Sequence, residues 1–154
     1  MKKRIHLFIY VLLILTTSLL TLAGCKSTAE KKLGPLKLVE FVNIEKYLGR
    51  WYEIARYQSN FEKDLVGVTA EYTLRDDGKV NVLNSGFKFT LDGEYSDAQA
   101  VAWVPDPETP AALKVKFFLF GADYLIFGLD EENYQWALVG NNARKYLWFL
   151  SRTP

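Results

Sequence analysis

Eight short segments of alternating apolar and polar residues constrain the fold of this chain more than any other feature. They run over roughly 50–58, 66–75, 79–85, 97–104, 112–119, 123–130, 133–139 and 145–152. Successive side chains of a strand point to opposite faces, so a period of two predicts β-strands. Asp76-Asp77-Gly78 predicts a hairpin turn, and the prolines of 105–110 predict a loop. Short antiparallel strands at even spacing predict a β-sandwich or a β-barrel.

One face of the predicted strands carries unusually small side chains, and this face predicts an internal space. A core at native packing density needs volume, which a row of alanines does not supply. An eight-stranded barrel can hold one small ligand in such a space. The alternative is a barrel that its own aromatic side chains fill. The candidate pocket residues are Val68, Ala70, Tyr72, Ala98, Ala100, Ala102, Val115, Phe117, Tyr146 and Trp148.

The N-terminus has the layout of a secretory signal, with a basic start, an apolar run over 5–22 and small residues at 23–24. A membrane-spanning anchor is the alternative, because the apolar run is long. We expect residues 1–24 to be removed, which takes three basic residues from the 19 Lys and Arg. The 18 Asp and Glu then leave a net charge of −2. Such a charge offers no basic stripe for nucleic acid.

The segment behind the signal predicts a polar tether over 25–40, ahead of a domain over 41–154. It is rich in charged residues and is broken by Gly34-Pro35, so it cannot bury enough apolar surface to fold. Asn43 is expected to cap one short helical turn before Gly49. Gly49 suits a tight entry into the first strand, and Trp51 brings a large ring whose N–H needs a partner when buried. Taken alone, this segment fits an ordinary strand start equally well.

Three motifs in order make the chain resemble the bacterial lipocalins of the outer-membrane lipoprotein type, within the calycin superfamily. Gly49-Arg50-Trp51 resembles the first signature of that family. Asp123-Tyr124, placed between the fifth and sixth strands, resembles the second, and Arg152 resembles the third. The resemblance implies an all-β, eight-stranded antiparallel up-and-down barrel that is open at one end. The expected floor residues are Gly49, Trp51, Asp123, Tyr124 and Arg152.

The resemblance also implies that Arg152 packs across Trp51 and closes the barrel floor. A guanidinium over an indole face gains cation–π attraction, which supports that pairing. Leu22-Ala23-Gly24-Cys25 resembles the lipobox of bacterial lipoproteins. This implies that Cys25, the only cysteine, is acylated and anchors the protein in a membrane. Lys26, where an Asp would retain the protein, implies export to the outer membrane, on its periplasmic face.

The segment after Arg152 departs from the family pattern. Lipocalins usually continue there with a helix on the barrel wall, and no helical pattern is present before Pro154. We expect Leu147 and Phe149 to face outward, on a wall that such a helix would cover. An exposed apolar patch indicates an interface. Either the chain is a truncated product or fragment, or another molecule covers this wall. We expect that the chain forms a homodimer or aggregates through it, which light scattering would test.

The residue types favour a binding protein over an enzyme. The chain from Cys25 onward has no His, and acid–base work would fall to groups such as Glu53 or Tyr124. Neither a metal-ligand cluster nor a phosphate loop nor a nucleophile motif is present in the sequence, so we expect no metal and no cofactor. The resemblance implies a carrier of fatty acids or lysophospholipids that stores or moves lipid, with a role in envelope maintenance under stress. The alternative is a filled-barrel lipoprotein that holds a partner and takes no ligand.

Overall fold

Eight antiparallel strands follow one another around a closed barrel, and the last strand pairs with the first. The computed structural model describes residues 34–117 and 119–154, with Phe120 described by its backbone alone. A short helix, α1, spans Ile44–Tyr47. The strands are β1 (Gly49–Arg56), β2 (Leu65–Leu74), β3 (Val80–Lys88), β4 (Tyr95–Trp103), β5 (Ala112–Phe117), β6 (Phe120–Leu129), β7 (Trp136–Gly140) and β8 (Leu147–Ser151). The predicted all-β class and the predicted barrel of eight strands are confirmed.

The chain enters the barrel through the capped helical turn that the sequence predicts. The Asn43 side chain accepts a hydrogen bond from the Lys46 backbone N–H at 2.9 Å. This satisfies a donor that the first turn of a helix leaves without an intrahelical partner. Gly49 then adopts φ +88°, a left-handed conformation that glycine tolerates best. The resulting turn delivers Trp51 into the interior, where its side chain has no exposed surface.

The connection between β5 and β6 lies closer to the N-terminus than the alternation predicts. Phe117 pairs with Phe120, so the connection falls between these two residues. Asp123 and Tyr124 therefore lie inside β6, within the strand predicted over 123–130, and not between the strands as the family resemblance places them. The run around this turn contains no Pro, Asn, Asp or Gly over 117–120, and so it carries none of the usual turn signals.

Residues 35–40 belong to the barrel unit, although the sequence predicts them as part of a tether. The backbone N–H of Val39 donates to the Ile126 carbonyl of β6 at 3.1 Å. Leu38 and Val39 also pack against the core, and residues 35–154 form one compact unit. The predicted tether is therefore too long at its C-terminal end. The predicted signal peptide, Cys25 and the tether up to residue 33 lie outside the described residues.

The outer wall of β8 is less exposed than the sequence suggests. Phe149 pairs with Leu138 of β7 on one side and with Ala55 of β1 on the other. Leu147 and Phe149 are both half-buried. Homodimerisation through this wall stays a prediction. In the described part of the chain, no helix has the length and apolar character needed to cross a membrane.

The Arg152 guanidinium closes the floor of the barrel. Its central carbon lies 3.8 Å from the centre of the Trp51 ring, a cation–π geometry. Its N–H groups also donate to the backbone carbonyls of Lys46 at 2.7 Å, Arg50 at 2.8 Å, Leu48 at 2.9 Å and Tyr134 at 3.2 Å. One side chain thus joins α1, the start of β1 and the β6–β7 turn. The floor that the family resemblance implies for Trp51 and Arg152 is present.

Arg152→Ala is expected to lower the free energy of unfolding by about 2 kcal/mol, because it removes a cation–π contact and four hydrogen bonds that are partly replaced by water. Urea denaturation of the chain from Lys26 onward, which contains the whole compact unit, measures the change. Lys116→Ala, at an exposed position on β5, is the control and should change stability by no more than about 0.5 kcal/mol. Equal stability of the two variants would contradict the role given to Arg152.

Candidate functional site: the barrel cavity

A cavity of about 540 Å³ occupies the interior of the barrel. This volume lies within the range of about 300–1,000 Å³ that small-molecule sites have. Nine of the predicted pocket residues line it: Val68, Ala70, Tyr72, Ala98, Ala102, Val115, Phe117, Tyr146 and Trp148. Ala100 lies between Ala98 and Ala102 on β4 and is buried, but it does not line the cavity. The small residues therefore leave the barrel partly empty, as the first of the two sequence alternatives predicts.

The cavity runs from the closed floor to the open end. Ile44, Tyr47 and Leu48 line it at the floor, beside α1. Phe61 and Glu62 line it at the other end, where they belong to the β1–β2 loop. The alternation does not identify these residues, because it reports faces of strands and says nothing about loops that fold over a barrel end.

A β-bulge in β1 brings two charged side chains into the open end. The register of β1 against β8 shifts between Glu53 and Ala55. Glu53 pairs with Leu150, and Arg56 pairs with Trp148, a residue of the cavity wall. An extra residue in a strand reverses the facing of the side chains that follow it. Both Glu53 and Arg56 therefore lie on the inner side of the barrel, where they form an ion pair.

Glu62 anchors the β1–β2 loop to the barrel wall. Its Oε2 accepts hydrogen bonds from Trp148 Nε1 at 3.1 Å and from Ser59 Oγ at 3.2 Å. Arg56 Nη2 donates to the backbone carbonyls of Glu62 at 3.0 Å and Leu65 at 2.8 Å. The Glu53, Arg56 and Glu62 side chains, here called the mouth cluster, thus bind the loop to both β1 and β8.

The mouth cluster contains two carboxylates and one guanidinium in a shielded position. The Glu53 and Glu62 side chains are only 5% and 8% exposed. Burial raises the pKa of Glu53 above its ordinary value, although a hydrogen bond from Arg56 opposes the shift. Burial likewise raises the pKa of Glu62, against the hydrogen bond from Trp148. The cluster therefore holds its negative charge at a cost in folding free energy.

Aromatic rings surround the mouth. Tyr146 and Trp148 stack with ring centres 5.6 Å apart, and Phe61 lies 5.6 Å from Tyr146 and 6.2 Å from Trp148. On the neighbouring β3–β4 hairpin, Phe87 and Tyr95 pack edge to face at 5.8 Å, and neither ring lines the cavity. This contact ties the hairpin together.

Three tyrosines form the deep end of the cavity. Tyr124 of β6 lies 2.8 Å, oxygen to oxygen, from both Tyr47 of α1 and Tyr72 of β2. Burial raises the pKa of Tyr72 to about 12 and the pKa of Tyr47 and Tyr124 well above the ordinary value. All three groups are therefore neutral hydroxyls at physiological pH.

The two residues of the predicted second signature take different places. Tyr124 lies in the cavity wall among the tyrosines, whereas Asp123 also borders the cavity but forms an ion pair with Lys114 across β5 and β6. Gly49 takes part in the floor through its turn conformation. Over residues 34–117 and 119–154, no group of three or more His, Cys, Asp or Glu side chains could hold a metal ion.

Glu62→Gln is expected to remove part of the pH dependence of stability. The pKa of Glu62 is higher in the folded protein than its ordinary value of 4.5, so a protonated Glu62 stabilises the folded state. This contribution to the free energy of unfolding is fully present below pH 4.5. It is lost as the pH rises through the folded pKa. The stability of Glu62→Gln relative to the wild type should therefore rise as the pH increases from 4.5 through the folded pKa of Glu62. Urea denaturation at stepwise pH measures this difference, and parallel pH curves for the two proteins would contradict it.

Comparison with known proteins places this barrel in a family. A family model described as a lipocalin-like domain matches residues 42–154. Outer membrane lipoprotein Blc of Vibrio cholerae is 42% identical over 145 residues, which cover 94% of this chain and 81% of that protein. Outer membrane lipoprotein Blc of Escherichia coli K12 is 46% identical over 118 residues, covering 76% of this chain and 66% of that protein.

Solved structures show the same fold at lower identity. The major allergen Per a 4 from cockroaches superposes with a TM-score of 0.56, covering 77% of this chain and 73% of that chain at 21% identity. The curated relatives are lipoproteins of the outer membrane, and this chain is likewise a lipid-anchored outer-membrane protein. The family model and the identities together show that the chain belongs to the lipocalin family.

Proposed function

We propose that this protein binds a fatty acid or a lysophospholipid in its barrel and stores or carries it at the outer membrane. The observation that carries the proposal is the cavity of about 540 Å³ between the tyrosines and the mouth. Its wall consists mainly of apolar side chains. A hydrocarbon chain fits such a wall, because burial of apolar surface provides the free energy of binding.

The magnitude of this driving force suffices for a lipid chain. Each buried methylene group contributes about 0.8 kcal/mol, so about eight of them contribute about 6 kcal/mol before the cost of ordering the ligand is subtracted. A polar head group would then remain at the mouth. There, Glu53, Glu62 and Arg56 offer charges of both signs to a zwitterionic head group.

Cys25 is proposed as the acylated residue that anchors the protein, on the grounds of its lipobox context. Mass spectrometry of the N-terminal peptide tests this assignment.

An anchored lipid carrier would support maintenance of the envelope under stress, which is the physiological role we propose. The alternative of a filled-barrel scaffold is less favoured, because the small side chains at 70, 98 and 102 leave the interior partly empty.

Ala98→Phe is expected to weaken binding of a fluorescent fatty acid by at least about tenfold, because an added ring occupies the space of the ligand chain. Ala98 lines the cavity, whereas its neighbour Gln99 is exposed on the other face of β4. Gln99→Phe makes the same substitution outside the barrel and is the matched control. Fluorescence titration of the chain from Lys26 onward gives both affinities.

The carrier proposal predicts that Gln99→Phe keeps the wild-type affinity. Equal affinity of the two variants would place the fatty acid outside the cavity. Failure of the wild type to bind any fatty acid or lysophospholipid, together with an absence of lipid in an organic-solvent extract of the purified chain, would favour the scaffold instead.

A further inference from the structure

The deep end of the cavity contains hydrogen-bonding groups that a simple hydrocarbon chain cannot use. We propose that Tyr47, Tyr72 and Tyr124 form a subsite that recognises a neutral oxygen atom, a hydroxyl or a carbonyl, at the buried end of the ligand. The ligand class is therefore an amphiphile with a polar head at the mouth and an oxygenated chain end at the floor. This inference rests on the proposed carrier function.

A count of hydrogen atoms supports the subsite. Three hydroxyls carry three hydrogens, and the two oxygen–oxygen contacts at 2.8 Å use two of them. The described residues, 34–117 and 119–154, provide no further hydrogen bond to these hydroxyls. One O–H is thus left as a donor on the cavity wall. A ligand that ends there in a methyl group leaves that donor unpaired, and a buried unpaired donor is costly.

The apolar surroundings of the tyrosines raise the free-energy cost of leaving this O–H donor unpaired. Tyr72 pairs with Val82, and Tyr124 pairs with Leu113, so hydrocarbon side chains flank the hydroxyls on the sheet. Tyr47 and Tyr72 are only 3% and 6% exposed. Phenylalanine would fill the same volume without any polar atom in the core. Burying three hydroxyls among apolar side chains costs folding free energy, and a hydrogen bond to a ligand oxygen offsets part of that cost.

Electrostatics select an oxygen acceptor at this end. Burial raises the pKa of Tyr47 and Tyr72, the Arg152 guanidinium below the floor opposes this shift as a smaller effect, and Glu62 adds a small upward shift at Tyr72. The other end of the cavity presents the Glu53 and Glu62 carboxylates. A partial negative charge is therefore favoured at the floor. A full negative charge is not, because its desolvation in this apolar wall is too costly.

The test compares matched ligands and matched variants. Dodecanoic, tetradecanoic and hexadecanoic acids are titrated first, and the tightest binder is then compared with its analogue that carries a hydroxyl at the chain end. The variant Tyr47→Phe/Tyr72→Phe/Tyr124→Phe removes all three hydroxyls but keeps the rings. Tyr57→Phe removes a hydroxyl from an exposed tyrosine that follows β1 and does not line the cavity, and it is the control.

The wild type and the control are expected to bind the hydroxylated acid within about threefold of its parent. The triple variant should bind the parent acid at least as tightly as the wild type does, because no donor is left unpaired, and it should bind the hydroxylated acid at least about tenfold more weakly than the parent acid. Circular dichroism melting checks that the variant is folded.

Two results would overturn the subsite. One is rejection of the hydroxylated acid by the wild type itself, by tenfold or more, a measurement that does not depend on any variant. The other is equal affinity of the triple variant for both acids. If the wild type binds neither acid, both the carrier function and the subsite are contradicted. If the wild type binds the parent acid tightly but one of the two results above is observed, only the subsite is contradicted and the carrier function stands.

Discussion

The contact between the Arg152 guanidinium and the Trp51 ring is the interaction on which the rest of the barrel depends. At 3.8 Å from the ring centre, with four backbone carbonyls as acceptors, this one side chain joins α1, β1 and the β6–β7 turn. Closing one end turns a barrel into a container with a single mouth. The inward Trp51 also supports Tyr47, whose ring lies 4.9 Å away and whose carbonyl accepts the indole N–H.

The two ends of this container differ in chemistry, and the difference gives a bound lipid a direction. The floor presents neutral tyrosine hydroxyls above a guanidinium, and the mouth presents two carboxylates and one guanidinium. An apolar wall between them suits a hydrocarbon chain. The mouth owes its charges to the bulge after Glu53, which turns Arg56 inward so that it can hold the β1–β2 loop. A local backbone irregularity thus decides the polarity of the entrance.

Particular residues show how far sequence reasoning reached. Alternation identified the inward faces of β2, β4 and β5 well, because a strand's side chains obey a strict period. It assigned Ala100 to the inward face, where it is buried, but facing alone does not tell whether an inward residue also lines the cavity. It began the sixth strand at Asp123 and not at Phe120, because the β5–β6 connection has no turn residues. It did not identify Phe61 and Glu62 as cavity-lining residues, because loop positions follow no period.

The sequence by itself determined the class, the number of strands, the floor pair and the small inward residues, since these follow from local alternation, turn chemistry and short motifs. Only the tertiary structure decided that Tyr47, Tyr72 and Tyr124 meet. They come from a helix and two strands that are not adjacent in the barrel, and their hydroxyls converge only when the sheet closes. Convergence across a closed barrel depends on shear and diameter, which no local pattern encodes. The same holds for the packing of residues 35–40 against β6.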